Sequence, residues 1–374
     1  MNDITLVVLC AGESSRFNLA VKKQWIRIDD QPLWLYATNK LSTYSKFNKV
    51  IVVGHENELQ YMKNFSDDYT YVKGGDTRQK SIVNALQLVT SEFVMITDVA
   101  RPCVPKDIID NLITNKDKAS IIVPALSISD TVTCDNETIN RNSLKIIQTP
   151  QLSNTKILKK ATSSKTEFTD DSSAIKSIGG TVHYILGSNK STKLTFDDEL
   201  TNLTCLEHAN SNIFVGNGID IHEFEPNKKM VLGGIEIESP FGFKAHSDGD
   251  VLIHSVIDSL LGACGAGDIG EFFPDTDPKY KGADSKKLLN YIIKFISNIG
   301  YEIVNIDVTI LMEEPKINPH KQAIKSKMSE LLNIEKQKIN IKATTSEKMG
   351  FVGREEGVIV VSSATLRYYR WMNK

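Results

Sequence analysis

Through its first 195 residues the chain repeats one pattern: a short apolar run, a stretch with helical spacing, then another apolar run. The runs at 5–9, 49–53, 69–72, 93–97, 120–124 and 181–186 have the length of strands. Between two of them Ile82, Ala85, Leu86 and Val89 fall at i, i+3, i+4 and i+7, which makes one face of a helix apolar. Strands joined through crossover helices pair in parallel, and the helices cover both faces of the sheet. The pattern predicts an α/β fold with a mostly parallel sheet. Residues 196–209, with Asp197, Asp198 and Glu199 near their start, read as a closing helix whose positive end suits those acids. A polar break follows at Asn210-Ser211-Asn212. Beyond it come a strand at 213–215, an acid- and His-rich loop, a helix at 250–261 and a Gly-rich loop. A long helix at 285–299, a strand at 306–311, another helix and strands at 338–343 and 358–362 complete an α+β block that does not repeat the first. The reading is two domains, 1–210 and 211–374.

A length of 374 residues, 41% of them apolar, supplies two cores. A net charge of −2 gives no general attraction to nucleic acid or to an anionic membrane, so any phosphate site must rest on locally placed Lys and Arg. The run at 4–11 follows Asp3 rather than a basic residue and leads into Gly-Glu-Ser-Ser-Arg, so it reads as a buried strand and not a signal peptide. No apolar stretch reaches the ~18 residues that span a bilayer. Cys10, Cys103, Cys134, Cys205 and Cys264 are scattered, odd in number and without a C-x-x-C pair. That argues against a disulfide framework and for a reducing, cytoplasmic setting.

The first strand ends in Ala11-Gly12-Glu13-Ser14-Ser15-Arg16, with Lys22 and Lys23 close behind. Small residues after a strand let backbone N–H groups face a phosphate, and Arg16 and Lys23 can neutralise its charge. Gly74-Gly75-Asp76 precedes Arg78 and Ser81, a loop suited to a base and ribose. Asp98-Val99-Ala100-Arg101-Pro102 ends another strand, on the edge where open α/β sheets bind ligands.

In order and spacing, A-G-x-x-x-R, K-K-Q, G-G-D-x-R-x-x-S, D-x-A-R-P, D-T-V, R-N-x-L…Q-T-P-Q and K-L-T-x-x-D resemble the 2-C-methyl-D-erythritol 4-phosphate cytidylyltransferases over residues 3–209. The resemblance implies a Rossmann-like nucleotidyltransferase domain using CTP and Mg²⁺. Arg16 and Lys23 would stabilise charge on the α-phosphate as pyrophosphate leaves, and Arg141 and Lys193 would hold the attacking phosphate in line. Ala11 and Gly12 belong to the phosphate loop. Gly75, Asp76 and Ser81 would contact cytosine and ribose; Asp98, Arg101 and Thr131 would line the sugar-phosphate side. This chain departs from the family at Glu13, at Ser14 in place of glycine, at Lys22 in place of proline, and at Val99 in place of alanine.

In the second block Asp220 and His222 stand two apart, on one face of a strand. Ala245-His246-Ser247-Asp248-Gly249-Asp250 follows, and Asp250, His254 and Asp258 then form an i, i+4, i+8 polar stripe. Asp220, His222 and His254 are one carboxylate and two imidazoles, a set that suits tetrahedral Zn²⁺ with an open position. G-x-D-x-H, A-H-S-D-G-D-V-x-x-H, G-D-I-G-x-x-F-P-D-T-D, P-K-x-x-P-H and K-A-T-T-x-E-x-x-G-F-x-G-R resemble the 2-C-methyl-D-erythritol 2,4-cyclodiphosphate synthases over about 212–366. By that resemblance the second domain is a zinc-dependent α+β synthase. Asp220, His222 and His254 would hold the zinc, and His246, Ser247 and Thr345 the phosphates and transition state. Thr344 would line the site, and Glu347 would anchor a second divalent ion. Asp268, Gly270, Phe273 and Asp277 would hold the erythritol, Lys316 the cytosine, and Phe351 and Arg354 a central cavity. Asn318 replaces an apolar residue of the cytosine loop. Synthase trimers and cytidylyltransferase dimers on one chain imply a hexamer with 32 symmetry, with a dimer arm near 134–144. A general sugar-phosphate nucleotidylyltransferase, or a nucleotide-sensing module beside a zinc-stabilised assembly domain, are the alternatives. Ligands are thus expected to be CTP and methylerythritol phosphates, with no nucleic acid and no membrane.

Overall fold

The computed structural model describes residues 3–371 apart from residue 165. It divides into two compact units, one of the described residues through Ala209 together with Trp371, the other Asn210–Arg370. The C-terminal end of the expected second domain thus departs from the reading above: Trp371 belongs to the first unit. It is 5% exposed, stacks on His208 and donates its indole N–H to the Arg27 carbonyl at 2.7 Å.

The first unit begins with β1 (Ile4–Leu9), the small ribbon β2 (Arg27–Ile28) and β3 (Gln31–Pro32), α1 (Leu33–Tyr44), β4 (Lys49–Gly54) and α2 (Glu56–Lys63). Then come β5 (Thr70–Lys73), α3 (Arg78–Leu86), β6 (Phe93–Asp98), α4 (Lys106–Thr114) and β7 (Ile121–Ser127). The hairpin β8 (Val132–Cys134) and β9 (Glu137–Ile139) precedes β10 (Lys145–Ile147), β11 (Gln151–Asn154), α5 (Thr155–Thr162), α6 (Asp171–Ser177) and β12 (Val182–Leu186). The sheet runs β10-β7-β11-β6-β1-β4-β5, with β12 also on β7. β6, β1, β4 and β5 are mutually parallel, whereas β10 and β11 run against their neighbours. Ile4, Leu6, Val7 and Val8 of β1 are fully buried, as a strand covered on both faces requires. Ile82, Ala85 and Leu86 share one core cluster with Val7, Ile51, Val94 and Ile96 and form the core face of α3, while Val89 joins that cluster three residues past the end of the helix. The parallel order brings the carboxyl ends of β1, β5 and β6 to one edge.

Two expectations fail here. The closing helix over 196–209 shrinks to a 3-10 segment, Asp197–Asn202. Glu199 turns back to accept the Phe196 N–H at 2.9 Å, and the following chain is drawn off to Asp29, whose N–H donates to the His208 carbonyl at 3.0 Å. Tertiary pairing there overrides local helix preference. The second failure concerns the cysteines: Cys103 and Cys205 are disulfide-bonded, with Cα atoms 5.8 Å apart, while Cys10, Cys134 and Cys264 keep their thiols. A separation of 102 residues hid the pair, which joins the loop after β6 to the end of the first unit.

The second unit contains β13 (Ile213–Pro226), the hairpin β14 (Met230–Leu232) and β15 (Ile235–Ile237), β16 (Phe241–Phe243), α7 (Val251–Cys264), α8 (Ile269–Phe272) and α9 (Ser285–Asn298). β17 (Tyr301–Leu311), α10 (Lys321–Leu332), β18 (Ile339–Thr344), α11 (Gly350–Gly353) and β19 (Gly357–Tyr368) complete it. The sheet order is β16-β13-β19-β17-β18. β13 is far longer than the three residues read from sequence, because it pairs with β19 from Ile213 to Glu223 and with β16 from Phe224 to Pro226. Its even-numbered side chains face α7. Gly216 and Gly218 let the helix settle: a Cβ at Gly216 would lie 2.2 Å from the Ser259 carbonyl oxygen, and one at Gly218 1.9 Å from that of Ser255. The odd-numbered side chains Ile213, Val215, Ile219 and Ile221 point the other way and are exposed.

Candidate functional site

At the carboxyl edge of the first sheet lies a cavity of about 590 Å³. Ala11, Gly12, Arg16, Lys23, Gly75, Asp76, Ser81, Asp98 and Lys193 all line it. The loop after β1 is shaped by Ser14, which sits at φ +56° and accepts the Lys23 N–H at 3.1 Å. Gln24 ties the same loop down: its amide donates to the Gly12 carbonyl at 3.0 Å and accepts from the Ser14 hydroxyl at 3.1 Å. The two departures Glu13 and Lys22 answer each other. Lys22 Nζ lies 2.8 Å from both Glu13 and the buried Glu58, and His55 Nε2 lies 2.6 Å from Glu13. The extra acid beside the loop is therefore neutralised by its neighbours.

The cavity is built to receive negative charge. Burial first, and then the charges of Lys193 and Arg16, hold the Lys23 ammonium below the usual lysine range. Cations crowded this way gain when an anion enters. Lys23 Nζ is held by the Leu194 carbonyl at 3.1 Å, and Leu194 N–H donates to the Ala100 carbonyl at 2.7 Å. Asp98 lies between Arg78 (3.0 Å) and Lys193 (2.8 Å). Burial opposes its ionisation, but those two cations overcome it and push the carboxyl well below the usual carboxylate range.

Three predicted residues lie elsewhere. Arg101 stands behind the cavity and donates to the Ser191 and Ile147 carbonyls. Thr131 and Arg141 are exposed and flank the β8–β9 hairpin, Arg141 donating to the Ser129 carbonyl. The hairpin turns through Asp135 and Asn136, both left-handed, as a tight two-residue turn requires.

In the second unit Asp220, His222 and His254 converge, with ligand atoms all within 4.8 Å of one another. The glycine face of β13 explains it: Gly216 and Gly218 bring α7 close, so the next even positions, Asp220 and His222, meet His254 on that helix. Asp220 Oδ2 lies 3.0 Å from His222 Nε2 and 3.2 Å from His254 Nδ1. The outer nitrogens are anchored too, His222 Nδ1 at the Lys244 carbonyl (2.9 Å) and His254 Nε2 at the Ser285 hydroxyl (2.9 Å). Burial opposes the Asp220 charge, yet the two imidazoles bring its pKa down to about 2. A carboxylate with two oriented imidazoles fits a divalent ion such as zinc. The expected polar stripe through Asp250 is corrected: Asp250 is wholly buried and caps α7, accepting from Gly233, Gly234 and Ile253 N–H groups at 2.8, 2.6 and 3.1 Å. Asp258 accepts the Ile269 N–H at 2.8 Å.

The remaining residues are distributed around this cluster and at the far edge of the sheet. His246 is exposed, and Ser247 lies 3.3 Å from His254. Asp268 and Asp277 cap short helical turns, and Gly270 lies in the first of them. Phe273 is 8% exposed, packed on Tyr280 and Tyr291. Thr344 ends β18, three strands from β13. The registers Ile221↔Ile359, Ile359↔Leu311 and Leu311↔Thr344 place it level with the metal cluster, about 14 Å away at ordinary strand spacing. Glu347 beyond Thr345 is exposed and left-handed (φ +53°), Lys316 donates to the Glu313 carbonyl, and Arg354 grips Glu356 near Phe351. Sequence reasoning missed Glu313, whose Oε1 accepts from Ser346 and Lys348 N–H groups and so shapes the Thr345–Glu347 turn. It quoted Gln24 within the K-K-Q motif but gave it no role. Glu313 carries no periodic or spacing signal, and only the folded loops show what either residue holds.

Residues 4–206 match the family model described as 2-C-methyl-D-erythritol 4-phosphate cytidylyltransferase, and residues 213–367 match the YgbB family. The "Bifunctional enzyme IspD/IspF" of Aliarcobacter butzleri is 61% identical over 374 residues, all of both chains. That of Campylobacter jejuni is 48% identical over 371 residues, 99% of each. The solved structure of the bifunctional IspDF from Campylobacter jejuni covers 99% of this chain and all of that one, at a TM-score of 0.90 and 48% identity. Fold and sites thus define a two-domain enzyme, a nucleotidyltransferase joined to a phosphorus–oxygen lyase. The chain belongs to the bifunctional IspD/IspF family, with the cytidylyltransferase and cyclodiphosphate synthase activities of the methylerythritol-phosphate route to isoprenoids.

Proposed function

We propose that the first unit binds CTP and 2-C-methyl-D-erythritol 4-phosphate in the 590 Å³ cavity, and that the second unit binds 4-diphosphocytidyl-2-C-methyl-D-erythritol 2-phosphate at the Asp220–His222–His254 cluster. The observation that carries the first half is the gathering of Arg16, Lys23 and Lys193 around one cavity. The acceptor phosphate oxygen attacks the α-phosphorus of CTP and the bond to pyrophosphate breaks. Arg16 and Lys23 meet the charge that grows there, and positioning with positive charge suffices without a covalent nucleophile. Mg²⁺ or another divalent cation would supply charge neutralisation at the triphosphate. Gly75, Asp76 and Ser81 hold cytosine and ribose, with Ala11 and Gly12 at the phosphates. Asp98 and Lys193 hold the acceptor.

In the second unit Asp220, His222 and His254 would hold a zinc ion, whose chemistry there would be Lewis acidity toward the phosphate under attack. His246, Ser247 and Thr345 steady the phosphates while the 2-phosphate attacks and CMP leaves. Glu347 offers a carboxylate to Mg²⁺. Thr344, Asp268, Gly270, Phe273, Asp277, Lys316, Phe351 and Arg354 are assigned by family resemblance to the substrate walls and central cavity.

Both sites call for neighbours. Thr131 and Arg141 lie on an exposed arm outside the cavity, and the Thr344–Glu347 edge is three strands from the metal cluster of the same chain. The bare apolar row Ile213, Val215, Ile219 and Ile221 supports copies packing on that sheet face. A hexamer of synthase trimers joined through cytidylyltransferase arms satisfies all three, in a cytoplasmic protein. No helix among the described residues is long and apolar enough to cross a membrane.

Purified protein given CTP, methylerythritol 4-phosphate and Mg²⁺ should release pyrophosphate, and no release would refute the first assignment. Adding ATP should still give no cyclodiphosphate, because ring closure needs a 2-phosphate and the chain has no G-x-x-x-x-G-K-[ST] run. Cyclic product without an added kinase would overturn that reading.

A further inference from the structure

At the wall of the first cavity three lining charges alternate, Arg78, Asp98 and Lys193, and a fourth, Asp171, stands behind Arg78. Asp171 opens α6 and is 2% exposed. Its Oδ1 accepts from Arg78 Nη1 at 2.7 Å. The same guanidinium donates from Nε to Asp98 Oδ1 at 3.0 Å. Asp98 Oδ2 then receives Lys193 Nζ at 2.8 Å, and Lys193 lines the cavity.

We infer that Asp171 is a positioning residue of the cytidylyl-transfer site: through Arg78 it sets the Asp98 carboxylate, and with it Lys193, for the sugar-phosphate acceptor. The inference rests on the function proposed above.

The geometry argues against a bridge that serves stability alone. An arginine paired with one buried carboxylate for stability uses two parallel N–H donors, the stronger arrangement. Here the guanidinium is turned so that one nitrogen serves each acid. Asp171 Oδ2 and Arg78 Nη2 are left buried without hydrogen-bond partners, each at a cost. What the rotation gains is a fixed orientation of Asp98 at the cavity wall. α6 itself is held firmly at that point: Asp170 accepts the Ser172 and Ser173 N–H groups at 3.0 and 3.4 Å. Asp171 is thus a rigid post, Arg78 the strut, and Asp98 with Lys193 the part that meets the ligand.

With its charge removed, Asp171 no longer shares Arg78, which then follows Asp98 alone. Asp98 loses its fixed direction and Lys193 its fixed partner, while the Gly12 loop keeps its ties to Gln24 and the Gly75 N–H keeps its bond to the Ser81 hydroxyl at 3.1 Å. The test is steady-state kinetics on full-length Asp171→Asn, following pyrophosphate while each substrate is varied. The expected result is a rise of about tenfold or more in KM for methylerythritol 4-phosphate, with KM for CTP within about twofold. Cyclodiphosphate synthesis by the same preparation should be unchanged, which verifies the second unit. A double-mutant cycle with Lys193→Gln should be strongly non-additive, since both changes break one chain. Unchanged acceptor KM, additive effects, or equal losses toward both substrates with a lowered melting temperature would each overturn the inference and reduce Asp171 to an anchor. Should Asp171→Asn not fold, Asp171→Glu keeps the charge, displaces it by one methylene, and is expected to raise the acceptor KM selectively. Absence of pyrophosphate release by the unaltered enzyme would instead sink the proposed function, so the two failures are distinct.

Discussion

Lys23 is where the first site concentrates its electrostatic strain. Burial and the neighbouring Lys193 and Arg16 disfavour its charge, so an approaching triphosphate relieves a cost already present in the free enzyme. Because charge on the α-phosphate grows during transfer, the Lys23 contribution is largest in the transition state. Lys23→Ala is expected to lower kcat for cytidylyl transfer about 10²–10³-fold, well beyond its effect on KM for CTP. Initial rates at varied CTP decide this; a KM rise with kcat preserved would confine Lys23 to ground-state binding. His222 carries the corresponding prediction for the second site. Burial disfavours its charge, but the hydrogen bond and charge of Asp220 prevail and raise its pKa above the ordinary histidine value. A raised folded-state pKa contributes stability that is complete below about pH 6.5 and disappears as pH climbs through the higher folded value. Metal binding needs the neutral imidazole, so its stabilisation runs the opposite way. Chelator-treated protein should therefore lose melting temperature of the second unit on going from below pH 6.5 to above the folded value, while zinc-loaded protein gains it. Parallel pH profiles in the two preparations would count against the metal assignment.

At the level of elements, the second site depends on one close approach. α7 lies against β13 only because positions 216 and 218 lack side chains, and that approach delivers His254 to Asp220 and His222. Gly218→Ala would place a methyl group 1.9 Å from the Ser255 carbonyl oxygen, which belongs to helix backbone and cannot step aside. The helix must shift, at about 2–4 kcal/mol. The expected outcome is a melting transition lower by roughly 5–15 °C for the second unit, with weakened zinc retention and intact pyrophosphate release. Calorimetry with metal analysis checks it, and full zinc with an unaltered transition would show that the approach is not limiting. Patterning revealed that Asp220 and His222 share a face. The role of the glycines was not visible in it, because a missing Cβ has meaning only against a neighbour.

For the whole molecule, the arm bearing Arg141 and the apolar face of β13 are separate surfaces, one on each unit. A closed assembly that uses both combines a two-fold with a three-fold, which is dihedral. Light scattering after size exclusion should return the mass of six copies. Three copies would mean the arms do not pair, and an active monomer would contradict a synthase site shared between chains.

Length, alternating strand and helix periods, and the ordered motifs determined by themselves that the chain has a parallel α/β part followed by an unrelated α+β part, and which chemistry each carries. They did so because burial period and phosphate- or metal-binding residue types are local properties. The 3-10 ending of residues 197–202, the Cys103–Cys205 bond, the full length of β13 and the burial of Asp250 were decided only in the folded chain. So was the pairing of Lys22 with both Glu13 and Glu58. Each depends on which distant residue arrives alongside, and the helix propensity of 196–209 or the spacing of five cysteines carries no information about that arrival. Asp171 is the plainest case: its place behind Arg78 comes from 93 residues away, through the packing of α6 against the end of the sheet.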